Sequence, residues 1–142
     1  MTVERVTVVT DELVDALRRL IPQLSETASL PTREGLDDLV ARDDHFLLVA
    51  RDGGAIVGSL TLVIYRIPTR LQGMIHDVVV DEAARGRGVG EALTREAQRL
   101  AVEAGAGSIR LTTRPYREAA HRLYERLGFE RVETDAYVWR PR

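Results

Sequence analysis

The chain has 142 residues, no cysteine and a formal net charge of -2. Its length suits one domain over residues 1–142, and 44% hydrophobic with 30% charged residues is the balance of a soluble globular protein. The absence of cysteine excludes disulfides, thiolate metal sites and a cysteine-linked acyl intermediate. The small net charge disfavours nucleic acid and anionic membranes as partners.

The N-terminus predicts no secretory or membrane segment. Charges recur every few residues in its first fifteen positions, and no run of about eighteen apolar residues occurs anywhere in the chain. We therefore expect a cytoplasmic protein that does not bind membranes.

The first part of the chain predicts a strand followed by two helices. β-branched residues favour a strand over residues 3–9. Leucines at three- and four-residue steps predict a helix from residue 11 to about residue 24. A shorter helix is expected from residue 32 to about residue 41.

An antiparallel hairpin is predicted next, from apolar runs over residues 46–51 and 55–65. Asp52, Gly53 and Gly54 separate the runs, and the glycines tolerate the positive φ angles of a tight turn. Period-two alternation predicts one face of the second run with Ile56, Leu60, Leu62 and Ile64, and the other with Ser59 and Thr61.

The rest of the chain predicts strands and helices in alternation. In chain order these are a strand from about residue 74 to 80, a helix from 88 to about 104, a strand over 108–113, a helix over 117–127 and a strand over 136–140. This mixed α/β order contains one strand-turn-helix unit with a cluster of glycines in its turn. Ligands of such sheets bind beyond the carboxyl ends of strands, so this turn is the first candidate site.

The glycine-rich turn has the properties of an anion site. The first amides of a helix lack intrahelical acceptors, and the helix dipole adds positive charge there. Gly86, Gly88 and Gly90 have no side chains to hold a phosphate away from the backbone, while Arg85 and Arg87 add charge and donors. We therefore expect a diphosphate ligand.

The glycine spacing of the turn differs from that of other phosphate-binding loops. A P-loop needs Gly-Lys-Ser/Thr at its end, where this chain has Val89-Gly90-Glu91. A dinucleotide fingerprint needs Gly-x-Gly-x-x-Gly, but these glycines are spaced Gly-x-Gly-x-Gly. A turn that only packs a helix on a strand is the structural alternative.

At this turn the chain resembles the GNAT superfamily of N-acetyltransferases. Their signature is Gln/Arg-x-x-Gly-x-Gly/Ala after a hydrophobic strand, and Arg85-Gly86-Arg87-Gly88-Val89-Gly90 matches every fixed position. Ala120-x-x-Leu123-Tyr124-x-x-Leu127-Gly128-Phe129 is similar to a second family segment. The resemblance implies a mixed α/β GNAT fold with a largely antiparallel central sheet, splayed between its fourth and fifth strands and flanked by about four helices.

The resemblance also implies acetyl-CoA as co-substrate. Backbone groups in Val78-Val79-Val80 would bind its pantetheine arm, and amides of Arg85, Gly86, Arg87, Gly88, Val89 and Gly90 would hold its diphosphate. The implied reaction is direct, because the amine of the acceptor attacks the thioester carbonyl. A backbone donor near Val78 would stabilise the oxyanion, and an acid would protonate the leaving thiolate.

Tyr124 stands at the family's position for that acid. Its helical spacing from Ala120 and Leu127 also fits a packed aromatic residue whose hydroxyl has found a partner. Many members have asparagine where this chain has Arg117, so an arginine would make the coenzyme contact there or the contact is lost.

The general base is less well defined. The strand that often supplies a glutamate has His76 and Asp77 instead, and imidazole exchanges protons near neutral pH. Both could instead be structural, with water carrying the proton. Since neighbours alternate across a strand, only one of the pair is expected to face the cleft. With three histidines and no cysteine, no metal site is expected.

The predicted acceptor is an amine of a small molecule or a peptide. The first two helices and residues 66–73 would shape its side of the site. The alternatives to an enzyme are an acyl-CoA-binding sensor that performs no transfer and, more weakly, an interaction domain without a ligand. Residues 137–139 would either complete the sheet or support a homodimer through a sheet edge.

Overall fold

The structure, a computed structural model, describes residues 1–141. Its elements are β1 (Thr2–Arg5), α1 (Asp11–Leu24), α2 (Arg33–Val40), β2 (His45–Asp52), β3 (Ala55–Ile67), β4 (Arg70–Val80), a 3-10 helix (Glu82–Ala84), α3 (Val89–Ala104), β5 (Ile109–Arg110) and α4 (Glu118–Arg126). They fall into two compact units. Unit 1, residues 1–112, holds the sheet and the first three α-helices, and unit 2 begins at Thr113 and holds α4.

The strands of unit 1 form one sheet in the order β1-β2-β3-β4-β5. The first four strands are antiparallel, whereas β4 and β5 are parallel and pair only at Gly73 with Ile109 and at Met74 with Arg110. Residues 75–80 of β4 therefore extend beyond their pairing with β5, and the sheet opens there. This confirms the predicted mixed, largely antiparallel sheet and its splay between the fourth and fifth strands.

Local signals account for the helix boundaries. The Thr10 hydroxyl accepts a hydrogen bond from the Leu13 amide at 3.2 Å, and the Thr32 hydroxyl accepts one from the Gly35 amide at 3.0 Å. Gly105, at φ +82°, ends α3 in the left-handed region. The predicted helices are confirmed, that over 11–24 with the same bounds and the others to within one residue at each end.

Helices cover both faces of the sheet in unit 1. On one face, α1 and α2 pack on a buried cluster that includes Leu47, Val49 and Ile56. On the other, α3 approaches β3 at Gly58. Four successive residues in the middle of β2 are buried, because helices shield the side chains on both faces of the strand from water.

The predicted face of Ile56 is wrong. The β2–β3 register shifts between Ala50 and Arg51, with Ala50 opposite Gly58 and Arg51 opposite Ile56, so that Val57 is an extra residue. Such a bulge moves the following side chains to the other face. Ile56 therefore packs under α1 and α2, whereas Leu60 shares the face of its partner Leu48.

Strand lengths also differ from the predictions. β1 ends at Arg5 instead of residue 9, β5 has two residues instead of six, and β4 begins at Arg70, so residues 66–73 form the tip of the β3–β4 hairpin. The strand predicted over 136–140 is absent from the part of unit 2 that the structure describes, where Tyr137 and Trp139 are 92% and 84% exposed. Strand propensity is realised only where a neighbouring strand supplies ladder hydrogen bonds.

The close approach of α3 to the sheet depends on Gly58. A Cβ atom added there would lie 2.8 Å from Val89 Cγ1 and 3.2 Å from both Leu93 Cδ1 and the Val79 carbonyl oxygen. We expect Gly58→Ala to lower the free energy of unfolding by about 1–3 kcal/mol, because the core must shift to admit the methyl group. Urea denaturation measures this change.

Gly107→Ala is the matched control, because the nearest atom to its added Cβ would be the Leu71 carbonyl oxygen at an ordinary 3.8 Å. We expect that variant to stay within about 1 kcal/mol of the wild type. Equal midpoints of urea denaturation for the two variants would contradict the argument that Gly58 prevents crowding.

No helix within residues 1–141 has the length and apolar character needed to cross a bilayer.

Candidate active site

A β-bulge interrupts β4 at the predicted base residues. Thr61 lies opposite His76 and Ser59 lies opposite Val79. Between these two pairs the chain advances two residues in β3 but three residues in β4. Asp77 takes up the extra length at φ +51°, in the left-handed region that aspartate tolerates better than most residues. His76 and Asp77 are both exposed. The regular pleat on which the expected alternation depends is therefore interrupted at Asp77, and which of the two residues faces the cleft stays a prediction.

The glycine-rich turn presents a row of unbonded amides. Gly86 and Gly88 both have φ +79°, so glycine is needed there for the backbone conformation as well as for access. The Arg85 amide donates to the Glu82 carbonyl at 3.4 Å. Within residues 1–141, the amides of residues 86–90 have no protein acceptor. Five successive N–H groups are thus available to a ligand.

The start of α3 is held firmly behind these amides. Gly88 is its N-cap and supplies no side-chain hydrogen bond. Val89 and Leu93 are buried, and the Thr94 hydroxyl donates to the Gly90 carbonyl at 2.7 Å. Because the first turn is packed on the sheet, its N–H groups and the positive end of the helix dipole keep a fixed direction.

The two arginines of the turn differ in their partners. Arg87 Nη1 lies 3.3 Å from Oδ2 of Asp52, the last residue of β2, in an exposed pair that contributes little stability. The exposed Arg85 side chain has no ion pair or hydrogen bond with the described residues. Arg85 is therefore the cation of this turn that a ligand can engage without breaking an existing contact.

In unit 2, Tyr124 combines a buried ring with an unpartnered hydroxyl. The ring is 9% exposed and meets Phe129 edge-on, with centroids 5.6 Å apart. No hydrogen bond joins its phenol oxygen to another described residue. The oxygen therefore keeps some contact with solvent, because no side-chain oxygen or nitrogen among the described residues is both fully buried and without a hydrogen bond. Burial raises the pKa of Tyr124, and the charge of Arg117, the N-cap of α4, opposes this only in part. The ring is therefore packed as the structural alternative expects, while its hydroxyl has no hydrogen-bond partner among the described residues, and the role of Tyr124 as an acid stays a prediction.

The family follows from comparison with known sequences. Residues 10–129 match the model of the Acetyltransferase (GNAT) family. The chain belongs to this family. The match includes both the turn at residues 85–90 and the Tyr124 segment, and confirms the resemblance on which those residues were chosen.

Individual GNAT relatives agree with this assignment. A probable glucosamine 6-phosphate N-acetyltransferase of Oryza sativa is 37% identical over 121 residues, which cover 78% of this chain and 71% of the relative. The N-alpha-acetyltransferase RimI of Mycobacterium tuberculosis is 34% identical over 67% of this chain and 58% of its own. The chain spans between about a fifth and about seven tenths of the length of the curated relatives it matches.

Solved GNAT structures share the fold. A putative acetyltransferase from Agrobacterium tumefaciens superposes with a TM-score of 0.84 over 99% of this chain and all of the other, at 25% identity. The glucosamine-6-phosphate N-acetyltransferase of Arabidopsis thaliana gives a TM-score of 0.80 at 21% identity, covering 98% and 99% of the two chains. These two comparisons show that the chains share a fold.

The remaining histidines of this GNAT chain already have protein partners. His45 Nδ1 lies 2.7 Å from Asp44 Oδ1 and lowers the pKa of that carboxyl, and His121 Nε2 lies 3.1 Å from the Arg114 carbonyl. Over residues 1–141, no three histidine, aspartate or glutamate side chains gather closely enough to hold a metal ion. Metal independence stays a prediction.

Two residues that the sequence analysis did not single out contact the segment that leads into the glycine-rich turn. Arg19 and Gln23 stand four positions apart on α1, which places them on one face of the helix. Their spacing was readable from the sequence. Their partners Asp81 and Glu82 were not, because they lie 59 or more positions away along the chain.

Proposed function

We propose that this protein binds acetyl-CoA and transfers its acetyl group to a primary amine of a small molecule or peptide. The observation that carries the proposal is the run of amides over residues 86–90 without protein acceptors, at the positive end of α3. Its membership of the GNAT acetyltransferase family supports the same donor. The family match extends across both units, which supports one functional domain over the chain.

The residues of unit 1 fit the donor's chemistry. The free amides and Arg85 would hold the diphosphate, because successive N–H groups and a guanidinium both complement phosphate oxygens. Residues 78–80 of β4, beyond its pairing with β5, would offer backbone groups to the amide-containing pantetheine arm. When bound, acetyl-CoA supplies a thioester whose carbonyl carbon accepts the amine.

The bulge in β4 supports a role for the backbone near Val78. Asp77 and Val78 have no register partner in β3, so this stretch departs from the regular ladder. A backbone amide at such an irregularity would stabilise negative charge on the acyl oxygen. His76 or Asp77, both exposed on the bulge, would accept the proton of the acceptor amine directly or through water.

Tyr124 is the proposed proton donor to the departing thiolate. Its raised pKa keeps the phenol protonated at neutral pH, and its hydroxyl has no competing partner among the described residues. A general acid must carry its proton at the working pH and be free to donate it to the ligand.

Acetyl-CoA binding is the first test. Isothermal titration should show saturable binding that weakens as salt is added, since charged groups recognise the diphosphate. An amine panel with a free-thiol readout should then identify acceptors. Absence of binding at high micromolar acetyl-CoA would end the proposal. Coenzyme A is the ligand control, because it carries the same diphosphate without the acyl group.

Acyl-CoA binding without transfer is the second candidate. One departure from the family pattern, the His76-Asp77 pair, falls on the strand that would supply the base, whereas residues 85–90 match at every fixed position. A sensor would bind acetyl-CoA as expected but release no thiol with any amine of the panel.

A further inference from the structure

Two side chains of α1 bond to the strand end and turn that lead into the free amides. Arg19 Nη2 donates to the Ile56 carbonyl at 2.7 Å, and its Nε lies 3.5 Å from Asp81 Oδ2. The Gln23 Oε1 atom accepts a hydrogen bond from the Glu82 amide at 2.8 Å. The helix thus contacts two successive residues immediately after β4.

Asp81 connects these contacts to the turn itself. Its Oδ1 accepts from the Ala83 amide at 3.2 Å, and its carbonyl accepts from the Ala84 amide at 2.8 Å. Its own amide donates to the Val57 carbonyl at 2.8 Å. Ala84 is buried, which anchors the end of the 3-10 helix. Arg19 and Gln23 therefore act on a small hydrogen-bonded unit that directly precedes Arg85.

The free amides lie between two fixed ends. Beyond them, α3 is packed on Gly58 of β3 through Val89 and Leu93. Before them, the only side chains from another element that bond to Asp81 or Glu82 among residues 1–141 are those of Arg19 and Gln23. Loss of these contacts would leave the segment before Arg85 held only by the Asp81–Val57 hydrogen bond, by hydrogen bonds within the segment and by the burial of Ala84, so that it samples other conformations more often.

We propose that Arg19 and Gln23 are positioning residues that hold the diphosphate-binding turn in its binding geometry. The inference rests on the proposed function, because it presumes that the amides over residues 86–90 hold the coenzyme. Neither side chain contacts the coenzyme in this proposal. They raise the fraction of molecules whose turn is competent to bind, and the apparent affinity follows that fraction.

The contacts are better suited to positioning than to global stability. Arg19 is 51% exposed, and exposed ion pairs contribute little to the free energy of unfolding. The same contacts act on a short segment whose one other hydrogen bond to the sheet is that of the Asp81 amide with the Val57 carbonyl. Coenzyme affinity should therefore respond more strongly to their loss than thermal stability does.

The test compares α1 variants by isothermal titration with coenzyme A. We expect Gln23→Met and Arg19→Met each to weaken binding about 5- to 15-fold, since each removes hydrogen bonds to the turn or its flanks. Gln23→Glu retains an acceptor for the Glu82 amide and should bind within about threefold of the wild type. Thermal unfolding of each variant verifies that it is folded.

Arg18→Met is the matched control. Arg18 is the neighbouring arginine on α1, and its Nε donates to the Pro31 carbonyl at 3.1 Å, away from the turn. We expect its affinity for coenzyme A to equal that of the wild type. Equal affinities for Gln23→Met, Arg19→Met and the wild type would overturn the inference alone. A wild type that binds neither coenzyme A nor acetyl-CoA would overturn the proposed function as well.

Hydrogen exchange of the ligand-free protein gives a second measurement. Peptides over residues 81–90 should exchange faster in Gln23→Met than in the wild type, while peptides from β2 and β3 remain unchanged. Unchanged exchange over 81–90 would contradict positioning, and faster exchange in the whole sheet would show that Gln23 serves general stability instead.

Discussion

Replacing Tyr124 by phenylalanine should lower turnover by about 10²- to 10⁴-fold and leave the affinity for acetyl-CoA within about twofold. The substitution removes one hydroxyl from a buried ring whose contact with Phe129 involves only carbon atoms. Since the hydroxyl has no hydrogen-bond partner among the described residues, its loss should not unfold α4. Steady-state kinetics with an acceptor from the amine panel, together with titration of acetyl-CoA, separates the two effects.

Tyr116→Phe is the control for this experiment, because Tyr116 lies in the same unit and is 75% exposed. It should retain the kinetics of the wild type. Wild-type turnover in Tyr124→Phe would assign the proton to another donor or to water. If neither protein shows turnover but both bind acetyl-CoA, the sensor is the better description.

The acid role also fixes the sign of a pH effect. Burial raises the pKa of Tyr124, and the reaction needs its protonated form. Activity limited by this group is therefore present at neutral pH and declines only as the pH rises through the raised value. Tyr124→Phe should lack this alkaline limb.

Gly88→Glu should weaken acetyl-CoA binding by at least about 100-fold. Nothing lies within 4 Å of a Cβ atom added at Gly88, so the side chain would project into the open space before α3. There its carboxylate would repel the diphosphate and compete for the free amides. The positive φ of +79° adds a backbone cost of about 1–2 kcal/mol, which is why a control with the same strain is needed.

Gly105→Glu provides that control. Gly105 flanks the other end of α3 with nearly the same dihedral angles, φ +82° and ψ 17° against φ +79° and ψ 17°, and it is equally open. The control loses at least as much stability, because a carboxylate at a helix C-terminus is unfavourable. It should nevertheless keep its affinity for acetyl-CoA. Equal affinity in Gly88→Glu and Gly105→Glu would place the diphosphate elsewhere on the protein.

Elements with local signals were predictable to within a residue or two. Thr10 and Thr32 bond to amides three positions ahead, and Gly105 and Gly128 adopt the positive φ that ends a helix. The hairpin at Gly53-Gly54 also forms as predicted. Each of these features depends on neighbours within a few positions, and the identities of those neighbours are written in the sequence.

Features that depend on strand pairing were less accessible. The extra residues at Val57 and Asp77 belong to register shifts between whole strands, and the shift at Val57 reverses the face that simple alternation assigns to Ile56. The apolar pattern over 136–140 has the composition of a strand, but no ladder partner occurs among the described residues.

The sequence by itself determined the helices, the hairpin, the glycine-rich turn and the family, because each depends on short-range residue patterns or on a motif read in order. Only the tertiary structure decided that His76 and Asp77 share a bulge, that the amides over 86–90 lack protein acceptors, and that Arg19 and Gln23 reach the start of that turn. These are relations between segments up to 62 positions apart, as between Arg19 and Asp81. Such contacts form when the sheet and helices pack, since packing selects one register and one set of partners from the many that local preference allows.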